Sequence, residues 1–302
     1  MTIISFPEFL THISDTLLPR LEHLQVEIAD AGKCCDLKSI SFEGGHVPDY
    51  SLEVVQDLYM LRYYGGYLCE YRTIYEEVLK FLKTPIHVRS LGAGSGVDLA
   101  ALYFEVRERR IPLGIINWYG YDLVKWSNRI TFPGLSARYR ECSVAKIDHF
   151  SPEVNVILFP KSISEFDDET FNALLVALHK SRFKSEKVVV ASSARAQSRS
   201  LNLDIRRFQQ VADVFTEHHD YRSEDESDKF WRFRHENTAW ASIYAGFSLP
   251  DAVVEFLKNL AERCPSRIRK GRPCMDDCDL ALSRWPILKA KAVRYQIMRL
   301  ER

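Results

Sequence analysis

No run in these 302 residues approaches the roughly 18 consecutive apolar positions of a membrane-crossing helix, so no membrane partner is expected. The opening stretch, MTIISFPEFLTHISDTLLPR, places acids and a proline where a secretory leader would carry a basic end and an apolar run. A cytoplasmic location is the expectation. Glycine and proline are scarce, at 13 and 12, which excludes collagen-like and low-complexity chains, while 46% apolar residues suffice to bury a core. Neither sign of charge is in excess: 41 Lys and Arg meet 41 Asp and Glu, so the chain as a whole is not built to coat a polyanion. The cysteines number seven, odd and scattered, which speaks against a secreted disulfide framework and for reduced thiols.

What is present is a folded chain longer than one ordinary domain, and its texture changes twice. Residues 1–83 read as a helical N-terminal cap, with Phe6, Phe9, Leu10, Ile13 and Leu17 at helical spacing and the periodic runs SLEVVQDLYMLRYY and YLCEYRTIYEEVLKFL further on. Residues 84–250 alternate strand-like runs (IHVRSLG, GIINWYGYD, ARYREC, VNVILF, KVVVAS) with amphipathic helices. One helix presents Phe171, Leu174, Leu175 and Leu178, another Ile205, Phe208, Ala212 and Phe215. Such alternation predicts an α/β fold: a Rossmann-like, mostly parallel sheet with helices on both faces. Two runs with no helix between them, KFWRFRH and TAWASIYAGF, are expected to close one edge as an antiparallel hairpin, making seven strands. Residues 251–302 read as a helical, basic, Cys-containing C-terminal extension. From Arg263 onward eleven Lys or Arg face four Asp or Glu, a net of +7 in a chain whose total is zero.

The strongest chemical signal is SLGAGSGVDLA, Ser90 to Ala100, directly after an apolar strand and directly before a helix. A turn there must bring backbone close to a ligand and tolerate positive φ, which Gly92, Gly94 and Gly96 allow, while the helix start offers unpaired N–H groups. The glycines fall as G-x-G-x-G, with Val97 where the third glycine of a dinucleotide fingerprint would stand, which disfavours NAD. No Lys opens the following helix, so the loop is no P-loop. The next strand, INWYGYD, ends in Asp122.

A GxGxG loop after one strand and an acid at the tip of the next resemble the class I S-adenosylmethionine-dependent methyltransferases. That resemblance spans about Thr84 to Phe247 in architecture and some ten residues in motif, and seven strands with a final hairpin is that family's fold. It implies S-adenosylmethionine as cofactor, its methionine end on Ser90, Gly92, Ala93, Gly94 and Gly96, its ribose on Asp122 and its adenine edge on Leu123. Pro160 would border it at the fourth strand. The chain departs from the family at Ser90, where an Asp or Glu is usual. Asp98 reads as pointing away from the loop.

Methyl transfer is an in-line displacement that asks mainly for alignment, so few acceptor-side residues are obligatory. Tyr71, Arg72 and Lys161 are the expected catalytic or acceptor-handling residues. Tyr64, Tyr67, Tyr71 and Tyr75 share one helical stripe, whose rings either pack on the sheet or reach the cofactor. The acceptor itself, whether small molecule, nucleic acid or protein side chain, is not written in the sequence. A catalytically silent member of the fold that binds RNA or a protein is the alternative, and Ser90 favours it. In the tail, Cys264, Cys274 and Cys278, with Cys34 and Cys35, lack the C-x2-C pairs of a zinc ribbon and read as plain thiols. Arg267, Arg269, Lys270 and Arg272, with Trp285 and Tyr295, suit either a nucleic-acid grip or a solvated helix end. His218, His219 and DYRSEDESDKF read as a surface loop or lid.

Overall fold

Runs such as VILFP and KVVVASS, apolar at nearly every position, are what a strand buried on both faces requires, and they lie at the centre of one sheet. The computed structural model describes residues 50–51, 53–83, 85–194, 201–223, 225, 231–233, 243–244, 251, 255, 289–290 and 293–302. Its strands are β1 (Ile86–Leu91), β2 (Ile116–Asp122), β3 (Ser136–Glu141), β4 (Val156–Pro160), β5 (Lys187–Ser193), β6 (Arg222–Ser223), β7 (Trp231–Phe233) and β10 (Val293–Glu301), with a two-residue pair β8 (Ile243–Tyr244) and β9 (Lys289–Ala290). The sheet runs β3-β2-β1-β4-β5-β10-β6, with β7 also on β10. β1 to β5 are mutually parallel, and β10 is antiparallel to its neighbours. β6 and β7 lie one after the other along the same edge of β10, so seven positions cross the sheet. β3, at the other edge, exposes Arg138, Arg140 and Glu141, charges that discourage edge-to-edge pairing.

Helices α1 (Glu53–Phe81), α2 (Val97–Glu108), α3 (Asp168–Lys180) and α4 (Leu201–His218) cover the strands. Asp167 caps α3, accepting from Thr170 N–H at 2.7 Å. Phe171, Leu174 and Leu178 of α3 and Phe208 and Phe215 of α4 are buried with Val188, Val190, Met298 and Leu300 in one core, as their spacing predicts. Tyr71, Ile74, Tyr75 and Val78 of α1 are buried too, and Tyr75 meets α2 at Asp98.

The antiparallel partner is not the run expected for it. TAWASIYAGF contributes Ile243–Tyr244 to the small β8-β9 pair, and β10, from within the expected extension, inserts beside β5 from Tyr295↔Ser193 to Glu301↔Lys187. It is buried at four successive positions, Tyr295 to Met298, and again at Leu300, a short run hidden among flanking Lys and Arg. Tyr295 is therefore a sheet residue, 8% exposed, and not a ring free to stack on a base.

Contact density divides the chain into two units, one of Met1–Gly66, Trp126–Asn128 and Tyr244–Lys289, the other of Tyr67–Lys125, Arg129–Ile243 and Ala290–Arg302. In the first, Tyr50 and Tyr59 set their rings 5.2 and 5.3 Å from that of Trp126, and Gln56 accepts from Ser127 N–H at 2.7 Å. The second is the sheet with its helices, and both its ends lie outside the 84–250 expected for it. Among the described residues no helix is long and apolar enough to cross a membrane. Cys34, Cys35, Cys264, Cys274, Cys278 and the Arg267–Arg272 cluster lie outside the described residues.

Candidate functional site

β1 and β2 run side by side in register, Ser90 opposite Gly120 and Leu91 opposite Tyr121, so the loop after β1 and the acid ending β2 emerge together. The N–H groups of Gly92 and Ala93 both donate to Tyr121 O, at 2.8 and 2.9 Å, which ties the loop to the β2 tip. Gly94 N–H donates to Asp122 Oδ2 at 2.7 Å, and Val124 N–H to Oδ1 at 2.9 Å. The loop and Asp122 thus meet, as the sequence predicts. Gly92 and Gly96 have φ of 81° and 86°, left-handed values that side chains resist. A Cβ on Gly92 would fall on that of Ser162, and one on Gly96 on the Tyr139 hydroxyl. Two of the three glycines are thereby demanded by the protein's own packing. Leu123, beside Asp122, is 76% exposed; among the described residues only Val176 is another large apolar side chain left so open.

No family model and no curated protein matches the chain. Similar solved structures include the plantazolicin methyltransferase BpumL in complex with a monoazolic desmethylPZN analog and SAH, 12% identical over 94% of this chain and 100% of that one, with a TM-score of 0.43. Another is phospholethanolamine N-methyltransferase 2 of Haemonchus contortus, 9% identical over 88% of this chain and 60% of that one, TM-score 0.38. A third is geranyl diphosphate C-methyltransferase of Streptomyces coelicolor A3(2), 9% identical over 76% and 78%, TM-score 0.35. With β10 as the antiparallel strand, the order β3-β2-β1-β4-β5-β10-β6 decides the architecture. The fold is a Rossmann-like, mostly parallel α/β sheet.

In this parallel order the tips of β1, β2 and β4 point to the same end of the sheet, and Asp98 lies in the first turn of α2, directly after the loop. It is 1% exposed. Trp118 Nε1 donates to its Oδ2 at 2.9 Å, and the Tyr75 hydroxyl reaches the same oxygen at 3.4 Å. Burial pushes the carboxyl from 3.8 up to about 6, against the opposing pull of Trp118, the Ser90 hydroxyl and the N–H groups of Leu99 and Asp98 itself. Ser90, fully buried, therefore stands beside a carboxylate although it is not one.

On the β4 side, Lys161 follows Pro160 in a left-handed conformation, φ 59°, strained by about 1 kcal/mol for a residue with a side chain. Its ammonium pairs with Glu70 of α1, lies 4.7 Å from the centre of the Tyr67 ring and donates to Ala194 O at 3.3 Å. Ser162 donates to Leu91 O, clamping the β4 tip to the glycine loop. Tyr71 is 3% exposed with its hydroxyl toward Ser193; burial, then Tyr67, Glu70 and Asp98, hold the phenol well above its ordinary value. Arg72 makes its contacts elsewhere. Its guanidinium bridges α1 to α2 through Glu105 and Glu108, each at 2.7 Å, because the next position round a helix points about 100° away from Tyr71.

Sequence reasoning did not single out Glu70, and it set Asp98 aside as pointing away from the loop. An Asp in the first turn of a helix resembles an ordinary favourable charge, and only the Trp and Tyr on neighbouring elements reveal its burial.

Proposed function

We propose that the chain binds S-adenosylmethionine at the glycine loop and transfers its methyl group to an acceptor held over the tips of β4 and β5. One observation carries this: the Asp122 carboxylate sits at hydrogen-bond distance from the loop, with exposed Leu123 next to it, at the tips of adjacent parallel strands. An adenosyl group needs an acceptor for two ribose hydroxyls and an apolar rest for its base. The Asp122 carboxylate is an acceptor fixed at the loop by the N–H groups of Gly94 and Val124. Leu123 supplies the apolar rest. Ser90, Gly92, Ala93, Gly94 and Gly96 would line the methionine end, and Pro160 would border it. The cofactor supplies a methyl group on a sulfonium. The chain supplies alignment, with Tyr71 as a wall and the Lys161–Glu70 pair as the polar edge that fixes an acceptor. Arg72 acts as a strut between helices.

The second reading, a silent binding module, draws on Gly92, Ala93 and Gly94, whose N–H groups all bond within the chain. Incubation with methyl-labelled cofactor and separate small-molecule, RNA and protein fractions tests both. Label in one fraction names the acceptor class; cofactor bound without transfer to any fraction supports the silent reading.

A further inference from the structure

We infer that Asp98 carries the negative charge that draws in the cationic amino-acid end of the cofactor, supplying from α2 what Ser90 at the end of β1 does not. The inference rests on the cofactor reading above and names the residue that senses the cofactor's charged end. Asp98 Oδ1 is buried with no aligned hydrogen-bond partner, and so is the Ser90 hydroxyl beside it. Two adjacent buried polar groups without an aligned partner are rare in a folded protein, and they mark a place for a further polar group. The missing group is a donor, because a carboxylate only accepts.

The rest of the carboxylate is held rigidly. Trp118 Nε1 and the Tyr75 hydroxyl both address Oδ2, so Oδ1 is the open acceptor. The titratable groups facing it are Tyr71 and Tyr75 from α1 and Tyr139 from β3, all kept protonated by burial. The nearby cation Arg129 lies 5.0 Å from the Tyr139 ring centre and pairs with Glu141 at 2.9 Å. Among the described residues Asp98 therefore meets dipolar donors but no cation, and a ligand ammonium or sulfonium would supply the opposite charge.

The test compares two probes by calorimetric titration of the full chain at pH 7.5: S-adenosylmethionine, and 5′-methylthioadenosine, which keeps the adenosyl thioether but has neither the amino acid nor the charge. Asp98→Asn keeps shape and the acceptor for Trp118, and its thermal unfolding shows that it folds. The variant is expected to weaken S-adenosylmethionine by roughly tenfold or more and methylthioadenosine by less than about twofold. Adding Ser90→Asp to Asp98→Asn returns most of the lost affinity. In the natural chain the preference for the charged probe falls by about tenfold per pH unit below the point where Asp98 protonates, and in Asp98→Asn it stays flat. Equal losses for both probes, or no loss for either, would overturn the role of Asp98 while leaving cofactor binding intact. Failure of the natural chain to bind either probe would remove the cofactor reading and this inference together.

Discussion

Asp98 is a carboxylate kept where it is costly. Its carboxyl is raised from 3.8 to about 6, so the folded state binds a proton more tightly than the unfolded chain does. The relative stability this gives is full below about pH 4 and is lost as pH rises through 6, leaving a penalty of about 3 kcal/mol at neutral pH. Asp98→Asn is therefore expected to be more stable than the natural chain by ~2–3 kcal/mol in urea unfolding at pH 7.5, with the gap closing toward pH 4. A residue retained only for structure would show the opposite sign. Gly96→Ala is expected to lose ~2 kcal/mol or more, since it meets both an unfavourable φ and the Tyr139 hydroxyl; Tyr139→Phe in the same chain should return part of that in a melting experiment. Arg72→Ala should lower stability by about 1 kcal/mol and leave cofactor affinity unchanged, because its partners are Glu105 and Glu108.

Among the elements, β10 separates what the sequence displays from what it hides. The glycine loop, its preceding strand and Asp122 were legible because they are contiguous and because parallel neighbours carry their tips to the same end. The α3 and α4 faces were legible through their period. β10 was not: its nine residues join β5 across about a hundred positions of chain, a pairing that no local pattern specifies. Nor was the inward direction of Asp98, set by Trp118 and Tyr75 on other elements. Because β10 fills the space between β5 and β6 and buries Tyr295, Ile297, Met298 and Leu300, removing residues 293–302 is expected to abolish cooperative unfolding monitored by circular dichroism. A dispensable basic tail would leave the melt intact.

For the whole molecule, sheet order and site agree. The parallel run of β2, β1 and β4 carries their tips to one end, where loop, acid and exposed Leu123 gather. Lys161 and Glu70 border that end from β4 and α1, and their pairing in a mostly buried setting makes either one costly to remove alone, by ~3–5 kcal/mol. The most direct measurement is calorimetric titration of the full chain with S-adenosylmethionine, beside Asp122→Ala. Saturable one-to-one binding that Asp122→Ala removes, in a variant that still melts cooperatively, is the predicted result. No heat of binding up to millimolar cofactor, or binding indifferent to Asp122, would contradict it.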